Sequence, residues 1–360
     1  MKPRVLVAAL DWGLGHATRM VPVIQALVAR GIHPVLASSG PALEFLRAEF
    51  PGLELRELPS YGVRYPVHGN LLMQVFAQSW KVLSAIRREH DQLEDWCKQE
   101  IFHLIISDHR YGCHNRFVRS VFIGHQLSIP VTGFWRLFRG AINLIHWRMI
   151  RRFDAVWVPD LPDRRLSGEL SYAEINDLRF IGPLSRFTTS PAGHPQKYAI
   201  MAIVSGPDPQ RSAFASLIEE QLVALDAPCL LLTGAPGSGS VARVRGKVEV
   251  LPHLDSTALA AALRSSGHVL SRSGYTSLMD YAAVGIRPWL VPTPGMPEQE
   301  YLARRLQASG IAPFQDQRNF SLKGFIEDPR VWKGFPAESH DGLLEQALRS
   351  EPALADYQVG

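Results

Sequence analysis

Cysteine is scarce in this chain: Cys97, Cys113 and Cys229 are the three present in 360 residues. An odd number at wide spacing excludes a disulfide framework and the paired-cysteine metal motifs, and it points to a reducing compartment. Long apolar runs are missing as well. No window offers the roughly 20 apolar residues of a membrane span, and the opening MKPRVLVAAL is too short an apolar run for a secretory leader. Excess charge of either sign is lacking: a formal net charge of +4 is small for this length, so neither nucleic-acid binding nor an acidic tail is indicated. A full dinucleotide fingerprint is absent, because Gly13 and Gly15 are followed by Thr18 where a third glycine would stand, which discounts a nicotinamide enzyme. What remains is an expected cytoplasmic globular protein of ordinary composition, with 46% hydrophobic and 20% charged residues. Its length predicts two domains.

The unbroken apolar run Arg4 to Leu10 reads as a strand buried on both faces. It breaks at Asp11-Trp12-Gly13-Leu14-Gly15-His16, and a helix is expected from about Ala17 to Arg30, with Pro22 tolerated in its early turns. A strand at Ile32 to Ser38 completes a βαβ unit. Alternation continues through a helix near Ala42 to Glu49, a strand near Leu53 to Glu57, a helical stretch from about Leu71 to Lys98, and a strand at His103 to Ser107. That pattern predicts a doubly wound α/β domain. His16 at a helix start has its neutral form favoured and can serve as a general base, or it is a structural histidine of the turn. Asp108 follows a strand at the edge where such sheets bind ligands; it either fixes the tautomer of His16 or caps the next segment. Ile129 to Phe134 and Asp154 to Val158 are expected as the last strands of this half. Between them, 132–153 mixes tryptophan and isoleucine with Arg136, Arg139, Arg148, Arg151 and Arg152. It reads as a core helix flanked by solvated arginines, in preference to a basic amphipathic surface for anionic lipid.

Composition shifts after Gly182, where a polar, proline-bearing stretch to Lys197 predicts a linker and hinge. Boundaries follow at 1–185, 195–335 and 336–360, the last a helix near His340 to Leu348 that crosses back to the first domain. A strand at Tyr198 to Val204 ends in Ser205 and Gly206, with Arg211 in the next turn, and these can offer a hydroxyl, an open N–H and a charge to a phosphate. Strands at Pro228 to Thr233 and Lys247 to Leu251 enclose a Gly/Ser loop, and Ser256 to Arg264 reads as a helix. The stretch Ser271 to Tyr301 then holds a strand end, the turn Arg272-Ser273-Gly274, and a helix from about Tyr275. Orphan N–H groups at that helix start favour an anion. Asp280, on the same face as Ser273, could accept hydrogen bonds from a ribose diol. The bland alternative is an ordinary βα turn with a serine cap.

Taken together, the glycine turn with His16, the Ser205-Gly206 turn, Arg272-Ser273-Gly274, Asp280, and Pro292 followed by Glu298-Gln299 resemble the GT-B glycosyltransferases. The similarity is strongest to the N-acetylglucosaminyltransferases of lipid II synthesis and to UDP-glucuronosyltransferase-like proteins. It spans roughly Arg4 to Ile311. The resemblance implies two Rossmann-like domains facing across a cleft, acceptor in the first and nucleotide sugar in the second. It implies an inverting, metal-independent transfer from an NDP-sugar, UDP first among them, to an unidentified acceptor of lipid-linked or cell-envelope type. No resident cofactor is implied, and the absence of any Asp-x-Asp leaves a diphosphate-bound metal unnecessary. By position, it implies Asp280 on the ribose, Ser205, Gly206, Ser273 and Gly274 around the diphosphate, and Glu298 and Gln299 on the donor sugar. His16 would stand near the reacting centre, with Gly13 and Gly15 in its turn, and Arg211 or Arg272 would add charge. Asp11-Trp12 and Gly295-Met296-Pro297-Glu298 depart from the family pattern. Two other readings stay open: a nucleotide-sugar hydrolase of the same fold, and a non-catalytic nucleotide-sugar-binding protein.

Overall fold

The computed structural model describes residues 3–62, 78–131, 133–187, 195–206, 208–234, 241–336 and 341–357. The middle of the expected linker (188–194), the first turns of the helix expected from Leu71, and most of the Gly/Ser loop (235–240) lie outside the described residues. Two compact units emerge: one holds the described residues up to Arg186 together with the tail from 341, the other those from Phe187 to 336.

The first unit runs β1 (Arg4–Ala9), α1 (Leu14–Ala29), β2 (His33–Ser38), α2 (Gly40–Glu49), β3 (Glu54–Glu57), α3 (Ser79–Gln99), β4 (Leu104–Asp108), β5 (Ser120–Ile123), α4 (Arg139–Ile150), β6 (Ala155–Val158) and β7 (Leu178–Phe180). Its strands pair in the order β3-β2-β1-β4-β5-β6-β7, parallel throughout. Val5 through Ala9 and Leu104 through Ile106 are wholly buried, as strands covered by helices on both faces must be. The order reverses between β1 and β4, so the ends of these two neighbours open the crevice where such sheets take ligands. Ala9 lies beside Asp108 in that register.

The second unit runs β8 (Tyr198–Ile203), α5 (Gln210–Ala224), β9 (Cys229–Leu232), β10 (Arg243–Arg245), β11 (Val248–Leu251), α6 (Ser256–Arg264), β12 (Ser266–Ser271), α7 (Tyr275–Val284), β13 (Pro288–Leu290), α8 (Pro297–Ala308) and α9 (Leu322–Ile326). The sheet order is β10-β11-β9-β8-β12-β13, parallel except for the short β10 edge. Here the reversal falls between β8 and β12, which pair up to Ile203 beside Ser271.

Several expectations are corrected. The helix after the first strand starts at Leu14, not Ala17, so Pro22 sits in its third turn and leaves the Thr18 carbonyl without an intrahelical donor. Ile129 to Phe134 is not a strand: the strand is Ser120–Ile123, and the Ile129 N–H is instead bound by Asn143 Oδ1 at 2.7 Å. The arginine-rich segment is a core helix only at its end, where Ile150 and Phe153 are buried. In α4, Asn143 (5% exposed) and His146 (3%) face inward, while Leu144 (59%) and Ile145 (63%) face out, as does Leu137 (78%) just before it. The inward polar groups are held by specific bonds, Asn143 to Ile129 and His146 Nε2 to the Tyr111 hydroxyl at 3.0 Å, which turns the apolar residues to the surface.

The tail helix α10 (Asp341–Arg349) belongs to the first unit. Arg30 is ion-paired with Glu345, and Arg119 with the buried Glu351.

Candidate functional site

In the first unit the β1–α1 turn carries Gly13 with φ +84°, a backbone that L side chains rarely adopt. Gly13 is the N-cap of α1, Gly15 lies one turn position before His16, and His16 is thereby aimed toward the end of β4. His16 Nδ1 lies 3.1 Å from Asp108 Oδ2. The structure thus brings these two residues together.

A third residue, which the sequence reading did not single out, is the hub of this site. Arg19 is 2% exposed and donates Nε to Asp108 Oδ2 at 2.8 Å, with Nη2 bonded to the other carboxylate oxygen. Its guanidinium also meets Nδ1 of His16 at 2.7 Å, of His109 at 3.0 Å and of His125 at 3.2 Å. The signal was present in the sequence, since an arginine three residues after His16 on a helix shares its face. His109 is itself held in place from behind: a Cβ at Gly124 would lie 2.6 Å from the Phe122 ring and 2.9 Å from that of His109.

Burial, then the nearby Arg19 charge, lowers the His16 pKa to about 4 against the opposing pull of Asp108. His109 is lowered to about 4, mainly by burial. Burial opposes ionisation of Asp108, but Arg19 and the flanking histidines hold its carboxyl well below the ordinary range. His16, Asp108 and His109 bring ligand atoms within 4.8 Å of one another, a spacing that could suit a metal ion among the described residues. Arg19 already donates to this group, and a cation beside its guanidinium would meet a fixed like charge, so the donor set fits an arginine rather than a metal.

A second polar cluster supports the same sheet edge. Arg110 and Glu89, both fully buried, are paired at 2.8 Å. Arg110 also donates to the carbonyls of Ala9 and Pro59 and to Ser39 Oγ, while Glu89 accepts from the Tyr61 hydroxyl and the Gly112 N–H. This network ties the end of β1, the start of α2, the 59–61 turn and the turn after β4 to α3.

In the second unit Ser205 and Gly206 leave the end of β8, and Ser273 and Gly274 that of β12, its direct neighbour in the sheet. Ser205 and Gly206 are exposed. Gly274 is the N-cap of α7 with no side-chain cap, so the helix presents bare N–H groups there. Ser273 is buried, and its hydroxyl donates to the Gln299 carbonyl at 2.8 Å. Gln299 in turn accepts the Thr293 N–H through Oε1 at 2.9 Å, and Glu298 lies beside it in the first turn of α8. Asp280 lies within α7 and is 9% exposed.

The two arginines differ from a simple phosphate clamp. Arg211 is ion-paired with Asp208 and donates to the Gly234 carbonyl at 2.6 Å. Gly234 must be glycine, because a Cβ would stand 2.1 Å from the Val204 carbonyl oxygen. Arg272 is 1% exposed, lies 3.8 Å over the Phe214 ring, and donates to the carbonyls of Val291 and Pro292 and to Gln317 Oε1. Those acceptors are neutral, and burial lowers the Arg272 pKa to about 9. Among the described residues no carboxylate is paired with Arg272, and its charge, added to the dipole of α7, favours an anion in front of it.

No protein-family model and no curated protein matches the chain by sequence. Solved structures do. The glycosyltransferase of kitacinnamycin superposes with a TM-score of 0.65 at 18% identity, covering 99% of this chain and 98% of its own. SnogD, a glycosyltransferase from Streptomyces nogalater, gives 0.58 at 16% identity over 99% and 98%. Acinetobacter baumannii MurG gives 0.55 at 15% identity over 96% and 93%. The chain has the GT-B fold of these proteins, two mostly parallel α/β sheets with helices. At these identities the likeness is one of fold.

Proposed function

We propose that the chain is an inverting, metal-independent glycosyltransferase that moves a sugar from a nucleoside-diphosphate sugar, with UDP the first candidate, to a hydroxyl acceptor. The observation that carries this reading is the pair of Ser-Gly turns, 205–206 and 273–274, on the adjacent ends of β8 and β12 beside the uncapped start of α7. Backbone N–H groups in such a place suit a diphosphate. In this reading Asp280 binds the ribose and Glu298 and Gln299 the sugar, while Arg272 acts from behind through its charge. The acceptor hydroxyl attacks the anomeric carbon, forming one C–O bond as the bond to the diphosphate breaks. The diphosphate departs with the electron pair, and His16 of the first unit takes the proton.

The acceptor is of lipid-linked type in this reading, met at an anionic membrane surface. No helix of the described residues is long and apolar enough to cross a membrane. The outward Leu137, Leu144 and Ile145 are instead bordered by five arginines, and residues 132–153 contain no carboxylate. Apolar insertion plus attraction to anionic headgroups is the usual basis of such peripheral contact.

A thermal-shift screen against UDP, GDP, dTDP and CMP identifies the nucleotide, since a ligand of the native state raises the melting temperature. Turnover of the matching NDP-sugar is then measured with and without added lipid-linked acceptor. His16→Ala is expected to lower kcat by about 100-fold or more while nucleotide affinity survives. Unchanged turnover in that variant would remove His16 from the mechanism, and rapid release of free sugar without any acceptor would replace transfer by hydrolysis.

A further inference from the structure

The proton on His16 cannot satisfy both of its neighbours. A guanidinium keeps its charge and has no acceptor, so a ring nitrogen to which it donates must be the bare one. Of the two N–H groups on Arg19 Nη2 one goes to Asp108 Oδ1, and His16 Nδ1 at 2.7 Å is nearer to the other than His109 Nδ1 at 3.0 Å. Arg19 contacts Nδ1 of His16 at 2.7 Å, whereas Asp108 Oδ2 stands 3.1 Å from the same nitrogen. Nδ1 can accept from Arg19 or donate to Asp108, but a neutral imidazole cannot do both. Asp108 Oδ2 already receives Arg19 Nε at 2.8 Å, so its need for the His16 proton is reduced. The shorter contact and the satisfied carboxylate both favour a bare Nδ1.

We propose that Arg19 is the positioning residue that selects the tautomer of His16, holding the ring's proton on Nε2. Deepening the reading of His16 as the base, this makes the resting ring a donor at Nε2 toward any hydroxyl there. Acceptance of a proton at Nε2 requires the other tautomer, with Nδ1–H turned to Asp108 and Arg19 Nη2 released from the ring. The groups facing this switch are Arg19 on α1, Asp108 and His109 at the end of β4, and His125 beyond β5. Arg19 therefore restrains the base, a role opposite to that of an orienting carboxylate alone.

The full chain labelled with 15N-histidine reports the tautomer directly in two-bond proton–nitrogen correlation spectra near neutral pH, with His16 assigned by its loss in His16→Gln. Wild type is expected to show the Nε2–H pattern. In Arg19→Gln the proton is expected to move to Nδ1 and the ring pKa to rise by about one unit or more, because a positive neighbour is gone and the carboxylate remains. Arg19→Lys keeps the charge and is expected to hold the pKa low. An Nδ1–H pattern in the wild type overturns the proposal, even if Arg19→Gln fails to fold. An unchanged tautomer in a folded Arg19→Gln overturns it as well. Neither readout needs a donor or an acceptor, so a chain without transferase activity could still pass, and an active transferase could fail.

Discussion

Lowering the pH from about 7 to about 5.5 should loosen the first unit through its buried histidines. Burial lowers His109 to about 4 and His146 to about 3, and both side chains are almost wholly enclosed. With folded values below the unfolded 6.5 or so, the unfolded chain takes up protons first. Their contribution is intact above about pH 6.5 and is lost progressively as pH falls toward the folded values. Over this interval each ring costs ~1.2 kcal/mol, about 2.5 kcal/mol for the pair. His16 and His114, also lowered to about 4, add losses of the same sign. Urea titrations followed by hydrogen exchange in β4 to β6 would read the loss as a midpoint lower by roughly 1 M. A midpoint for β4 to β6 that stays constant or rises on acidification would refute the argument.

Glu89→Gln should be among the costliest single changes in the first unit. It turns an amide N–H toward donors and strands the Arg110 charge in the core, at about 3–5 kcal/mol, and calorimetry would show the first unit's transition depressed by roughly 2–4 °C per kcal/mol. Asp280→Ala should weaken nucleotide binding more than tenfold, or about 1.4 kcal/mol; equal affinities by titration calorimetry would take Asp280 out of the ribose site. Flotation with vesicles containing anionic lipid should carry the wild type upward, and the double change Leu144→Glu with Ile145→Glu should abolish it. Co-migration that persists in that variant would place lipid contact elsewhere.

Much of the fold was legible because buried parallel strands announce themselves as unbroken apolar runs, as at Arg4 to Leu10 and Tyr198 to Val204. The meeting of His16 with Asp108 could be anticipated from topology alone: each follows a strand of a doubly wound sheet, and those strands are neighbours across the reversal. Arg19 was not anticipated, because an arginine in the apolar run ATRMVPVI looks like a solvated interruption until its partners are known. Arg110 and Glu89 lie 21 residues apart on different elements, and only the folded chain makes them partners. Of the last strands of the first half, Asp154 to Val158 was placed correctly and Ile129 to Phe134 was not, because the true strand SVFI is only four residues long and is buried through its neighbours β4 and β6 rather than through its own length. In the middle of α4 the usual rule that apolar residues face inward failed, although Ile150 at its end obeys it, since the interior there needed an amide for Ile129 and an imidazole for Tyr111.

The return of residues 341–357 to the first unit also bears on how the protein is made. A ribosome finishes β1 to β7 well before it reaches Glu345 and Glu351, with all of the second unit still to be synthesised. Until then Arg30 lacks Glu345, and Arg119 has Asp177 but not the buried Glu351 that pairs with it in the finished chain. The nascent first unit thus waits with an open flank, and its completion is deferred until the second unit and the tail have been synthesised. Truncation before Asp341 should consequently give a chain whose second unit folds normally while its first unit depends on chaperones.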